Sequence, residues 1–160
     1  MSFDFSIVEL PKMLIAGINI QTDMSRAGQD CPALWMTFGE RVAAKLHDSP
    51  LLDKNVDCSY GISIMQDEMN FVYWAGCAIT AAEDLPEGID SITLPAGSYV
   101  TCTVPNLAQL GQALNAMYCD WPTSQDKYQI DMATACFECY PLYWETDTAF
   151  SIFAKVQVQA

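Results

Sequence analysis

The chain has 160 residues, and its 7 Lys+Arg against 20 Asp+Glu give a formal charge of −13. So acidic a surface is repelled by nucleic-acid phosphate and by anionic lipid headgroups, which excludes both as direct partners. With 51% hydrophobic and 17% charged residues, the chain has ample apolar material for one folded domain spanning 1–160 and is not of disordered composition. The opening residues Met1 to Ser6 carry neither the basic nor the apolar stretch of a secretory signal, and no apolar run reaches the length that crosses a bilayer. Seven dispersed cysteines, an odd number, read as reduced thiols rather than a disulfide framework, so the cytoplasm is the expected location.

In chain order, Ile7 to Leu10 and Met13 to Ile20 are β-like and interrupted by Pro11. Asp30-Cys31-Pro32 reads as a helix start, and Leu34, Trp35, Phe38, Val42 and Leu46 recur at spacings of three and four. Asp48-Ser49-Pro50 closes that helix, with His47 at its C-terminal end. Cys58 to Met65 and Phe71 to Thr80 form a hairpin across the polar residues 66–70. The acidic stretch Glu83 to Asp90 is the best internal boundary, and beyond it the pattern restarts. Ser91 to Leu94 and Tyr99 to Val104 are β-like around the turn Pro95-Ala96-Gly97. Asn106 caps a second helix with the stripe Leu107, Leu110, Leu114 and Met117, ending near Trp121-Pro122. A polar loop then runs to Asp131, followed by strands Thr134 to Leu142 and Ala149 to Val158. Each half, 1–82 and 88–160, therefore reads β-β-α-β-β. The fold class is α+β, a duplication with a mainly antiparallel sheet and two helices.

Cys136-x-x-Cys139 lies in a strand-like run, where an odd separation sends the two side chains to opposite faces. The motif does not hold zinc jointly there, and a single histidine supplies no tetrahedral set, so no metal site is expected. No glycine-rich phosphate loop is present, and no cofactor is expected. Glu138 differs from the other acids: it is the only carboxylate inside the neutral, largely apolar run from Ala133 to Tyr140. Alternation puts Cys136, Glu138 and Tyr140 on one strand face, which is either a solvated face or a buried one. In the buried case desolvation raises the Glu138 pKa, and a ligand cation supplies the missing charge. Trp35, Tyr73, Trp74 and Tyr140 are either core residues or aromatic faces for such a cation, each face contributing about 0.5–2 kcal/mol.

Four short motifs occur in the order and at the spacing seen in one family: Trp74-Ala75-Gly76, Pro95-Ala96-Gly97-Ser98-Tyr99, Trp121-Pro122-x-Ser124 and Phe137-Glu138-x-Tyr140. In these, nearly the whole chain resembles the GyrI-like effector-binding domains of AraC-type and multidrug-responsive transcription regulators. The resemblance implies a ligand pocket between the two halves, lined by aromatics, with an acid at its base. That acid corresponds to Glu138, and Trp35, Tyr60, Trp74, Tyr140 and Phe153 are its candidate aromatic walls. The regulators carry a helix-turn-helix domain, whereas this chain opens on the first strand of the effector module. It thus resembles the stand-alone form, such as the drug-binding proteins of integron gene cassettes.

Three functions follow from the resemblance. The first is capture of lipophilic, cationic, aromatic small molecules. The second is hydrolysis of reactive electrophilic xenobiotics, with Glu138 as the catalytic carboxylate. The third is a protein-interaction role like that of a gyrase inhibitor, in which the acidic surface meets a basic partner. Whether a regulator partner or a homo-oligomer takes part is left open by the sequence.

Overall fold

A computed structural model of the chain describes residues 3–46, 49–53, 56, 58–141 and 144–159. His47 and Asp48, expected at the end of the first helix, lie outside the described residues. The strands are β1 (Ser6–Leu10), β2 (Met13–Asp23), β3 (Cys58–Met65), β4 (Asn70–Ala78), β5 (Asp90–Leu94), β6 (Gly97–Val104), β7 (Tyr128–Ile130), β8 (Cys136–Pro141) and β9 (Phe150–Val158). The helical segments are α1 (Ala27–Phe38), α2 (Ala44–Leu46), α3 (Leu110–Asn115) and α4 (Trp121–Ser124). They form two arms: α1 runs into α2 through a π-helical turn over Gly39–Ala43, and α3 runs into α4 through one over Ala116–Asp120. The first arm starts a turn earlier than Asp30-Cys31-Pro32 predicts, because the Asp23 carboxylate accepts the backbone N–H groups of Ser25 and Arg26 and starts the helix there. Pro32 consequently lies inside α1. At the second arm Asn106 does cap: its side-chain oxygen accepts the Gln109 N–H at 3.2 Å.

All pairings are antiparallel, in the order β1-β6-β9-β8-β3-β4-β2-β5, with β7 added alongside β9. Strand β7 falls in the stretch read as a polar loop, too short for alternation to register. The order is two-fold about the β8–β3 pair. Each half contributes a central hairpin, β3–β4 or β8–β9, and the first strand of each half pairs with the second strand of the other, β1 with β6 and β5 with β2. The duplicated β-β-α-β-β halves are thus joined by exchanged edge strands and by one central seam, β3 against β8.

Alternation divides the core between the two sheet faces. On one face the first arm covers Ala16, Ile18, Phe71, Tyr73 and Ala75 with Leu34, Phe38 and Val42, and the second arm covers Val100, Cys102, Ile152 and Ala154 with Ala113, Met117 and Trp121. Among the described residues no helix covers the other face, yet Ile15, Tyr60, Ile62, Trp74, Leu94, Tyr99 and Phe137 are buried there. Val8 of β1 and Ile92 of β5, from opposite ends of the strand order, pack against that same cluster, so the sheet curls around it.

Two of the four motifs do structural work. The Tyr99 hydroxyl donates to the Pro95 carbonyl at 2.6 Å, and Gly97 between them has φ +140°, a conformation that needs glycine. The Ser124 hydroxyl donates to the Trp121 carbonyl at 2.7 Å and ends the second arm.

Candidate functional site

Glu138 sits at the seam of the two halves. In β8 it faces the helical arms, set between Gly61 of β3 and Ile152 of β9. Its neighbours on that face make the environment apolar and aromatic, and burial pushes its pKa above the ordinary carboxylate value. Two hydrogen bonds oppose the shift without cancelling it: the Tyr140 hydroxyl donates to Oε1 at 2.5 Å and the Tyr73 hydroxyl at 3.2 Å. The shorter contact has the length of a phenol bonded to a carboxylate. Behind Tyr73 the Trp35 indole N–H donates to the phenol oxygen at 3.0 Å, completing a chain of donors that ends on Glu138. Burial, and next the charge of Glu138, hold both tyrosine hydroxyls well above their ordinary pKa, so they remain donors. The residue as a whole keeps partial solvent exposure, while its carboxyl group is buried.

The rings around it come from several elements. Trp35 of α1 packs against both helix-face clusters and stands edge-on to Tyr140, with centroids 5.6 Å apart. Tyr140 stacks on Phe150 at 4.9 Å and meets Trp144 at 4.7 Å. Tyr118, in the π-helical turn of the second arm, hydrogen-bonds Cys136 and feels the Glu138 charge. Cys31 of the first arm feels it too, and burial above all pushes its thiol up to about 11. Gly61 makes the arrangement possible: a Cβ there would lie 2.2 Å from the Tyr73 hydroxyl oxygen and 2.9 Å from Glu138 Oε1. Among the described residues, the side-chain ion pairs are those of Arg26 with Asp23 and Asp30, and no Lys or Arg pairs with Glu138.

Of the residues named from sequence, the structure brings Trp35, Tyr73 and Tyr140 to Glu138. It places Tyr60, Trp74 and Phe153 on the opposite sheet face, packed with Phe137, which stacks on Phe153 at 4.7 Å. Period two is the reason. Tyr73 and Trp74 are adjacent in β4, and the register Gly61↔Ala75 and Gly61↔Glu138 gives the Glu138 face to Tyr73. The sequence signal for Tyr73 was its strand position, which alone does not say which member of the pair turns toward β8. Tyr118, Trp144 and Gly61 had no local signal, because helix docking and strand register bring them in. Two cavities, of about 380 and 500 Å³, are lined by Cys58, Cys139, Phe150 and Ser151 and by Asn106, Leu107 and Asp147. Beside Glu138 the Trp35 and Tyr140 rings meet edge-on. Among the described residues, no group of three or more metal-ligating side chains assembles, and no helix is long and apolar enough to cross a membrane.

No curated protein matches the sequence at a significant level. Solved structures do match in fold. SAV2435, solved bound to tetraphenylphosphonium, superposes with a TM-score of 0.76 at 17% identity, covering 96% of this chain and 94% of that one. The integron cassette protein VCH_CASS2, from the mobile metagenome of Vibrio cholerae, gives 0.67 at 18% identity, covering 97% of each chain. A hydrolase encoded by lin2189 from Listeria innocua gives 0.60 at 8% identity, covering 96% and 91%. At these identities the likeness is one of fold. The sequence itself matches the family model of the GyrI-like small molecule binding domain over residues 3–149, and the chain belongs to that family.

Proposed function

We propose that this protein binds lipophilic, aromatic organic cations beneath its two helical arms, with Glu138 as the counter-charge. The observation that carries the reading is a recessed carboxylate, fixed by two phenol donors and ringed by aromatic side chains, that no Lys or Arg among the described residues neutralises. Such a group costs free energy when ionised and recovers it when a cation arrives. The faces of Trp35 and Tyr140 add cation–π attraction once Trp35 releases its edge contact. Tetraphenylphosphonium, the ligand bound to SAV2435, is a cation of the proposed class. Seven free cysteines suit a reducing, cytoplasmic setting.

Intrinsic tryptophan fluorescence, titrated with tetraphenylphosphonium and with neutral triphenylphosphine oxide, tests the reading. Glu138→Gln is expected to weaken the cation by about tenfold or more, ~1.4 kcal/mol, and to leave the neutral compound nearly unchanged. Equal losses for both would remove the electrostatic role.

A second reading rests on the raised pKa of Glu138 beside two phenol donors, an arrangement suited to general-base hydrolysis of an electrophile. Mass spectrometry separates the two: ligand recovered intact supports binding, and ligand recovered with water added supports hydrolysis.

A further inference from the structure

On the sheet face away from the helical arms, two thiols share one cavity. Cys58 of β3 and Cys139 of β8 are half-buried, and both line the cavity of about 380 Å³ together with Thr103, Pro141, Ala149, Phe150 and Ser151. The register sets Cys58 opposite Pro141 and Cys139 opposite Tyr60, so the two cysteines are diagonal neighbours across the seam of the halves. Cys58, Cys139 and the Tyr60 hydroxyl lie close enough to act on one another. The Asp53 carboxylate lies close enough to act on the Tyr60 phenol, which adds negative potential beside the pair.

Geometry decides what such a pair takes. Diagonal neighbours in an antiparallel pair have Cα atoms about 7–8 Å apart, beyond the span of about 4.4–6.8 Å that a disulfide bridges without backbone movement. A metal between the sulfurs relaxes that demand. With sulfur–metal bonds no longer than the ~2.3 Å of zinc thiolates, the two sulfurs stand up to ~4.6 Å apart, against about 2.05 Å in a disulfide. Tetrahedral zinc needs further ligands, and among the described residues no group of three assembles. We propose that Cys58 and Cys139 form a two-thiolate site for a soft d10 cation such as Cu(I), entered through the cavity on the face opposite Glu138. Thiolate ligands select Cu(I) over hard cations. Binding forms two sulfur–copper bonds, sends both thiol protons to solvent and transfers no electron.

The test uses the reduced full chain. Cu(I) is supplied under argon in competition with bicinchoninate, and thiols are alkylated with iodoacetamide with and without Cu(I), then mapped by mass spectrometry. One bound equivalent per chain is expected, with joint protection of Cys58 and Cys139 while the exposed Cys119 stays reactive. Cys58→Ser and Cys139→Ser should each lose that equivalent, and Cys119→Ser should keep it. The alkylation map of the unaltered chain stands even where a variant folds poorly. Protection of other cysteines, or an equivalent retained in both seam variants, would overturn the site. Formation of a Cys58–Cys139 disulfide in the native chain on treatment with diamide would also overturn it, by showing that the sulfurs meet directly.

Discussion

Ionised Glu138 gives up much of its water and recovers two phenol hydrogen bonds, and the balance leaves its pKa raised, with burial the larger influence. The consequence for stability has a definite sign. A carboxyl whose pKa is raised in the folded state favours folding in its protonated form. Its contribution is fully present below the unfolded value near 4.5 and is lost as pH rises through the folded value. Glu138→Gln, which is neutral at every pH, should therefore melt above the unaltered protein at neutral pH, and the two melting temperatures should converge as pH falls toward 4.5. Circular-dichroism melts across that range check this; a gap that widens on acidification would contradict it. Other acids behave in the opposite way. Asp67, held by the Asn70 side chain and the N–H groups of Asn70 and Met69, and Asp131, held by the Thr134 hydroxyl and the Ala133 N–H, have lowered pKa values because they cap turns.

At the scale of elements, the strand face explains which aromatics belong to the site. Alternation within β8 was legible in the sequence and groups Cys136, Glu138 and Tyr140 correctly on the face under the arms. What alternation does not carry is the phase of one strand relative to the next. Tyr60, Trp74 and Phe153 have the composition of a pocket wall, but pairing register turns them into the self-packed core of the curled face. The helices show the same division. The stripe from Leu34 to Leu46 was readable, whereas the start at Ala27 depended on the turn made by Asp23. A functional partition follows. Tyr140→Phe and Trp35→Leu should weaken tetraphenylphosphonium binding. Phe153→Leu and Tyr60→Phe should lower the melting temperature while leaving affinity within about twofold, as distant independent sites do. Fluorescence titration paired with thermal melts separates the two groups. Loss of affinity on changing Phe153 would mean that the two faces are coupled.

For the whole molecule, duplication sets the location of the site. Exchange of β1 and β5 ties each half to the other, and the β3–β8 seam puts Glu138 where both helical arms reach it, with Trp35 from one and Tyr118 from the other. The repeated halves were visible in the sequence as a restarted pattern. The exchange of edge strands was not, because each edge strand pairs with the other half of the chain. The charge of −13 acts over longer range: it favours approach of cations and disfavours that of anions. One carboxylate then converts that bias into a site, and its titration is the most direct observable. Carbon-13 NMR of the Glu138 side-chain carboxyl, followed against pH with and without saturating tetraphenylphosphonium, should show a raised pKa in the free protein that falls when the cation binds. A Glu138 titration that stays where it was at saturation would contradict the account.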